Sequence, residues 1–365
     1  MLQTERTARL EPLRRRLAEL ELDALLVTGA ANVRYLSGFT GSLAYLVIGP
    51  EAAEILGDSR YWIQMEQEAA GFELVRPAAS ADLLSLVPER LASIGRRRVG
   101  FEAQHLTVSA FDRLRRGITE AVALEPTTGL VEEMRMRKTE EEIARMRAAA
   151  SISSRAFDRI RRTIRPGLRE RDLAFLLDQS FRELGADSPA FETIVASGEN
   201  GARPHAHPTE RMIERGDMIV FDFGARVAGY CSDISRTVVV GELSAEQRRV
   251  IEAVQQAQAA ALEAMRPGIS ADAVERVARR SIAQTIGPEH AFGHPLGHGV
   301  GLEIHERPLL AARDRTELAP GMVITNEPGV YVPGWGGARI EDMVLITESG
   351  HEVLTAASRE VPVAP

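Results

Sequence analysis

The chain has 365 residues, of which 44% are hydrophobic and 26% are charged, and its formal net charge is −8. This length indicates two domains of unequal size with a globular composition. The negative charge gives no reason to expect a nucleic-acid partner, and no apolar run reaches the roughly 18 residues of a membrane span. The single cysteine, Cys231, excludes an intrachain disulfide, and residues 1–20 lack the apolar stretch of a signal peptide, so we predict a soluble, cytoplasmic protein.

The first third of the chain alternates helical and strand-like segments. Residues 5–22 place leucines at three- and four-residue intervals among charges, which predicts an amphipathic helix. Strand-like runs follow at 24–28, 44–48 and 99–101. Such alternation predicts an α/β domain. Its acidic and histidine side chains are scattered, and we expect no catalytic set in it.

A domain boundary is predicted near residue 130, which gives domains 1–130 and 131–365. Thr139 and Glu142 then have the spacing of a capping box, in which each side chain binds the backbone amide of the other residue. A long helix should follow.

The second domain contains a weak internal repeat. The sequence R-P-G occurs at 165–167 and at 266–268, each time between two helix-like segments. Each helix pair is followed by two strand-like runs, at 218–223 and 237–240 and then at 322–325 and 343–346. R-P-G is also an ordinary helix stop, but the matched surroundings favour duplication. We predict an α+β domain with pseudo-twofold symmetry, an antiparallel sheet inside and helices outside.

Five acid or imidazole side chains stand out in this domain: Asp222, Asp233, His298, Glu327 and Glu341. Four of them lie in or beside apolar strand-like runs, where a carboxylate is costly to bury unless it is paired or bound to a metal. The glycines at 224 and 229 allow a hairpin that returns Asp233 to Asp222. Each acid alone could form a salt bridge or lie in a solvated turn, but all five together favour a metal centre.

The donor set favours particular metals. Four carboxylates can neutralise two divalent cations held roughly 3.5–4 Å apart. One imidazole among oxygen ligands suits Mn²⁺ or a similar first-row ion better than a thiolate-type zinc site. Five of the eight histidines fall in two short segments: His205, His207, His294, His298 and His305. No H-E-x-x-H sequence occurs, which argues against that class of zinc protease.

Several segments resemble the metallopeptidase family of aminopeptidase P, prolidase and methionine aminopeptidase, which has the pita-bread fold. They are FDFGA at 221–225, SDISRT at 232–237, GHGVGL at 297–302, NEPG at 326–329 and RIED at 339–342. In the first domain, NVRYLSGF at 32–39 and the two-domain length favour the aminopeptidase P and prolidase branch. The resemblance implies a creatinase-like N-terminal domain that supports oligomerisation and narrows access to a pita-bread catalytic domain.

The resemblance also implies a ligand set. Asp222 would bind one metal ion, His298 and Glu327 the other, and Asp233 and Glu341 would bridge the two. The ions, Mn²⁺ first and Co²⁺, Zn²⁺ or Fe²⁺ as alternatives, would activate a water that attacks the scissile carbonyl. Glu327 would accept its proton.

The implied reaction is hydrolysis of the Xaa-Pro bond at the N-terminus of dipeptides or short peptides by a homodimer. His205 and His305 would hold the substrate and stabilise the oxyanion, with His294 in support. Creatinase-like hydrolases without metal and non-catalytic peptide-binding relatives are the alternatives. All five ligand positions are filled in this chain, which favours catalysis.

Substrate length stays open on the sequence. An enzyme restricted to dipeptides needs a cation for the free carboxylate of the substrate. Some prolidases have an arginine four residues after the equivalent of His305, and this chain has Leu309 there. Among nearby arginines we predict Arg313 as the substrate-binding residue, with a solvated loop charge as the alternative.

Overall fold

The computed structural model describes residues 2–77, 82–93, 97–360 and 363–364. The chain divides into two compact units, Met1–Arg135 and Met136–Pro365. The boundary predicted near residue 130 lies five residues before this division. Among the described residues, no helix has both the length and the apolar character to cross a membrane.

The N-terminal unit is built on a mixed sheet. Its helices are α1 (Leu2–Glu19), α2 (Ala30–Ser37), α3 (Trp62–Glu68), α4 (Leu83–Ser93), α5 (Val108–Gly117) and α6 (Leu130–Met136). Its strands are β1 (Ala24–Val27), β2 (Tyr45–Ile48), β3 (Ala53–Leu56), β4 (Glu73–Val75), β5 (Arg98–Glu102) and β6 (Ala123–Thr127). The strand order is β4-β3-β2-β1-β5-β6, with β1, β5 and β6 parallel and β2 antiparallel to both neighbours. The predicted α/β class is confirmed, and α1 and β1 lie where the apolar pattern placed them.

The C-terminal unit contains four long helices among its described residues: α7 (Glu140–Ile160), α8 (Glu170–Glu183), α9 (Ala245–Ala264) and α10 (Ala271–Ile286). Its strands are β7 (Ser188–Pro189), β8 (Ile194–Ser197), β9 (Met218–Phe223), β10 (Ala225–Val227), β11 (Tyr230–Cys231), β12 (Ile234–Val240), β13 (Gly297–Gly299), β14 (Glu306–Leu310), β15 (Val323–Asn326), β16 (Gly329–Val332), β17 (Gly336–Arg339), β18 (Asp342–Thr347), β19 (Gly350–Val353) and β20 (Val363–Ala364). The two larger sheets have the orders β20-β12-β9-β8 and β14-β13-β15-β18-β19. All of their strand pairs are antiparallel except β12 with β20.

The two halves of this unit repeat the same local bonding. After the first R-P-G, Gly167 donates its N–H to the carbonyl of Ile213, and after the second, Gly268 donates to the carbonyl of Leu318. The isolated bridges Arg169↔Met212 and Ser270↔Glu317 are likewise equivalent. Each half thus has a helix pair followed by antiparallel strands, as the repeat predicted, although the strands form two main sheets.

The helix α7 begins as predicted. Thr139 accepts from the N–H of Glu142, and the Glu142 carboxylate accepts from the N–H of Thr139, which completes the capping box. Further along the helix, Phe157 stacks on Phe223 with ring centroids 5.3 Å apart. This packing fixes one face of β9 in the core.

Candidate metal centre and substrate cavity

The alternation of side chains along β9 directs Asp222 away from the core. Phe221 and Phe223 are fully buried in the apolar cluster beneath the strand, so the residue between them faces the other side. The antiparallel partner β12 pairs Ser235 with Asp222. Asp233 immediately precedes β12 and therefore lies beside Asp222.

The chain between these aspartates needs glycine at two positions. A Cβ on Gly224 would lie 1.9 Å from the carbonyl oxygen of Ser232. Gly229 has a φ of +86° in the turn between β10 and β11, a conformation that glycine adopts without strain. The hairpin predicted from these glycines is present.

The second half supplies one imidazole and two carboxylates. His298 is the middle residue of β13, Glu327 follows β15, and Glu341 precedes β18. The Nε2 atom of His298 lies 3.4 Å from Glu327 Oε1 and 3.5 Å from Asp233 Oδ2. Ligand atoms of Asp233, His298 and Glu341 lie within 4.8 Å of one another. All five predicted ligands line one cavity.

Two atoms in this cavity have the free lone pairs that a cation needs. Oδ1 of Asp222 is buried and makes no hydrogen bond within the described part of the chain, whereas Oδ2 accepts from Arg339 at 2.7 Å. Nδ1 of His298 donates to the carbonyl of Gly299 at 3.0 Å, which leaves Nε2 as an acceptor facing the carboxylates. This oxygen-rich set with one imidazole fits divalent first-row ions.

The pKa values of the cluster show its need for positive charge. Burial, followed by repulsion from neighbouring carboxylates, raises the pKa of Asp233 and that of Glu341 well above their usual ranges. Burial also raises the pKa of Glu327 to about 8, although Arg339 opposes the shift. Burial lowers the pKa of His298 to about 4. Divalent cations would replace the protons of the acids and restore the carboxylates.

Arg339 belongs to the site although the sequence pattern did not single it out. Its buried guanidinium donates to Asp222 Oδ2, to Ser235 Oγ at 2.8 Å and to the hydroxyl of Tyr331 at 2.8 Å. Ser235 Oγ in turn donates to Glu341 Oε2 at 2.6 Å. One arginine thus orients a predicted ligand from each half. Its spacing of two residues from Glu341 was the signal that could have identified it.

The remaining predicted residues surround a cavity of about 310 Å³. His205 and His305 are exposed at its rim, whereas His298 is buried. The ring of His305 lies 4.4 Å from that of His298. His294 accepts from the hydroxyl of Tyr331 at 3.1 Å, and burial lowers the pKa of His294 to about 4.

Two residues that the sequence analysis singled out, His207 and Arg313, do not line the cavity. His207 pairs with the exposed Glu192 at 3.3 Å and does not line the cavity. Arg313 is exposed on the turn after β14 and is not among the residues that line the cavity. Leu309, on β14 opposite His298, does line it and is 42% exposed.

The N-terminal unit has its own group of acids around a histidine. Glu102, His105 and Glu132 place ligand atoms within 4.8 Å of one another. The amide of the buried Asn32 donates to both Glu102 and Glu132 at 2.6 Å, and Glu102 also accepts from the backbone N–H of Gly29 at 2.7 Å. These bonds tie α2, β5 and α6 together, which explains the buried asparagine of the NVRYLSGF segment.

Comparison with known proteins agrees with the geometry. The model of metallopeptidase family M24 matches residues 144–348, and the creatinase/prolidase N-terminal domain matches residues 9–137. The chain belongs to metallopeptidase family M24. The two matches follow the order of the two structural units, and the pita-bread fold is confirmed.

Three relatives cover nearly the whole chain. The Xaa-Pro dipeptidase of Pyrococcus furiosus is 37% identical and covers 97% of this chain and 99% of its own length. The solved Xaa-Pro dipeptidase from Bacillus anthracis is 38% identical with a TM-score of 0.94, over 98% of this chain and 99% of the other. The X-Pro aminopeptidase from Thermotoga maritima is 36% identical with a TM-score of 0.87, over 95% and 99%.

The raised pKa values predict how this metallopeptidase responds to pH without metal. Glu327 titrates at about 8 in the folded protein and ordinarily near 4.5, so the folded state holds a proton that the unfolded chain has released. The free energy of unfolding of the metal-free protein should therefore fall as the pH rises from about 6.5 to 8, above the range in which the lowered pKa values of His294 and His298 act in the opposite direction. Urea titrations across this range measure the fall.

Two comparisons control this measurement. Saturating Mn²⁺ should remove the fall, because the cations take the place of the protons. Metal-free Glu327→Gln should show a shallower fall than the parent. Stability that rises between about pH 6.5 and 8 in the metal-free parent would contradict the charge balance deduced for the cluster.

Proposed function

We propose that this M24 peptidase hydrolyses the bond between an N-terminal residue and a following proline, in dipeptides or short peptides, with two divalent cations. The observation that carries the proposal is the convergence of Asp222, Asp233, His298, Glu327 and Glu341 on one small cavity. The Xaa-Pro activities named for the full-length relatives support the substrate class. A relative without catalysis would not need five ligands around an unpaired buried carboxylate oxygen.

Each ligand is assigned a role. Asp222 would hold one ion, His298 and Glu327 the other, while Asp233 and Glu341 would bridge them. When bound, two such ions lower the pKa of a water and polarise the scissile carbonyl. Oxygen ligands with one imidazole suit Mn²⁺, and Co²⁺, Zn²⁺ and Fe²⁺ are the alternatives.

The protein groups around the cavity handle the substrate and the protons. Glu327 would take the proton from the attacking water and pass it to the proline nitrogen that leaves. His205 and His305, exposed at the rim, would hold the substrate and donate to the developing oxyanion. The hydroxyl of Tyr331, which accepts from Arg339, keeps His294 oriented in the wall.

The metal dependence is tested first. Chelation should abolish hydrolysis of Xaa-Pro peptides, and Mn²⁺ should restore it. Asp233→Asn should lose both activity and metal, because this carboxylate faces the ligands of both ions. Asp178→Asn, which removes a partly buried carboxylate outside the cavity, serves as the control. Full activity in Asp233→Asn would contradict the dinuclear assignment.

The histidines should separate into two classes. His298→Ala should lose bound metal, because its Nε2 faces Asp233 and Glu327. His205→Ala and His305→Ala should keep near-normal metal while kcat falls by about 10²-fold or more. Elemental analysis and steady-state kinetics on the three purified proteins check this. Equal metal loss in all three would show that the rim histidines are ligands.

We further propose that peptides longer than dipeptides are preferred. Among the residues that line the cavity, Arg339 is the one arginine or lysine, and it already makes four hydrogen bonds to Asp222, Ser235, Tyr331 and Pro204. The apolar Leu309 lines the wall near His298. A free carboxylate there would lose water without gaining a cation, whereas the neutral amide of a longer peptide loses less.

Leu309→Arg tests this preference. The new cation should raise the kcat/KM ratio of Xaa-Pro over Xaa-Pro-Xaa substrates by about tenfold, the worth of one charged hydrogen bond. Leu309→Met preserves the volume and should leave the ratio unchanged.

If Arg313 instead receives the carboxylate, as the sequence suggested, Arg313→Ala should reduce dipeptide hydrolysis selectively in the parent. A parent that prefers dipeptides would overturn the proposal on length.

Assembly and location remain proposals. We propose a homodimer in which the N-terminal unit supports oligomerisation and limits substrate length, in keeping with the creatinase/prolidase match. Analytical ultracentrifugation of the full chain would show a monomer if this is wrong.

A cytoplasmic location rests on the single cysteine, the buried Cys231, and cell fractionation tests it.

A further inference from the structure

One buried carboxylate holds both ends of the segment that carries His205. Glu170 is the first residue of α8 and is 0% exposed. Its Oε1 accepts from the N–H of Ser197 at 2.6 Å and from the Ser197 hydroxyl at 2.8 Å. Its Oε2 accepts from the N–H of Thr209 at 2.8 Å, the Thr209 hydroxyl at 2.6 Å and the side-chain amide of Asn200 at 2.9 Å.

These anchors enclose the loop of residues 198–208. Ser197 is the last residue of β8. Thr209 lies beside the start of α8, where its carbonyl accepts from the N–H of Arg171. Inside the loop, Asn200 also donates to the carbonyl of His207 at 3.1 Å. The side chain of His205 is exposed, so its place at the rim depends on the backbone of this loop.

The internal repeat provides a comparison within the same chain. Glu170 donates its N–H to the carbonyl of Arg211, and at the equivalent place Ala271 donates its N–H to the carbonyl of Thr316. Ala271 is also 0% exposed. The second half has its buried carboxylate one residue later, at Asp272, which accepts from the hydroxyl of Ser270 at 2.6 Å and pairs with Arg276 and Arg315. Glu170 differs from Asp272 in that it accepts from two backbone N–H groups, one at each end of the loop that carries His205.

The energetics favour a rigid loop. Hydrogen bonds to an ionised acceptor are roughly twice as strong as neutral ones, and they strengthen in a buried setting. Glu170 also lies at the N-terminus of α8, where the helix dipole stabilises a negative charge. An amide in its place would leave part of the donor set of Ser197, Asn200 and Thr209 unsatisfied, at a cost the loop can relieve by moving.

We propose that Glu170 is a positioning residue that sets the place of His205 at the rim of the cavity through this loop. The proposal rests on the proposed function, because it takes His205 as a substrate contact. It differs from a purely structural role, in which Glu170 would stabilise the C-terminal unit without influencing His205 in particular.

A double-mutant cycle on the full-length, Mn²⁺-loaded protein tests the coupling. Glu170→Gln should lower kcat/KM for an Xaa-Pro tripeptide by about 10- to 100-fold at unchanged metal content, since small misplacements of a catalytic contact have effects of this size. In the His205→Ala background the same change should cost less than about twofold, because the contact it positions is already gone. Equal losses in both backgrounds would refute the proposal.

A second readout does not depend on activity. Amide hydrogen exchange of residues 198–209, followed by mass spectrometry, should be faster in Glu170→Gln than in the parent. Thr209→Val keeps the shape but removes the hydroxyl that donates to Glu170 and accepts from the N–H of Arg211, and it should show a smaller change in the same direction. Glu142→Gln, another buried carboxylate with hydrogen bonds to Thr139 and Tyr230, is the matched control and should leave exchange of this loop unchanged.

The outcomes separate the two proposals. If the parent hydrolyses no Xaa-Pro peptide, the proposed function fails, while exchange still shows whether Glu170 holds the loop. If the parent is active but exchange of residues 198–209 is unchanged in Glu170→Gln, the positioning role is wrong. Should Glu170→Gln fail to fold, Thr209→Val carries both measurements, again in the presence and absence of His205.

Discussion

The mutual repulsion of four carboxylates in one small cavity is the constraint on which the rest of the site depends. Asp222, Asp233, Glu327 and Glu341 line the same space, and the burial of Asp233 and Glu341, with the partial burial of the other two, removes most of the water that would screen their charges. The buried Arg339 contributes one positive charge, which is too little for four anions. Divalent cations would supply the positive charge that Arg339 alone does not provide, so the charge of the cluster argues for a metal centre.

The duplicated architecture produces this convergence. Each half contributes two acids from a strand end near the pseudo-twofold axis: Asp222 and Asp233 from β9 and β12, Glu327 and Glu341 from β15 and β18. The aromatic core beneath β9 and the antiparallel pairing of its neighbours determine where the acids point. Core packing therefore supplies the precision that metal ligands need.

The two halves of the C-terminal unit differ in the residues that surround the cavity. The imidazole of His298 has no counterpart of the same kind among the acids of the first half, and the loop with His205 is tied down by Glu170 while its equivalent turn has Ala271. Arg339 joins the halves by binding Asp222 directly and Glu341 through Ser235. Differences between the two halves, rather than the repeat itself, would separate the proposed metal ligands from the proposed substrate contacts.

The sequence by itself determined the two fold classes, the capping box at Thr139, the principal strands and the five acid and imidazole residues that share one cavity, because these follow from local periodicity and from motifs with specific spacing. It could not determine the role of Arg339 or of Glu170, or whether Arg313 or Leu309 lines the cavity. Those facts depend on contacts between residues that are far apart in the chain, and on side-chain directions that only packing settles. Tertiary structure decided them because burial and charge pairing are properties of the assembled neighbourhood, and no single segment contains them.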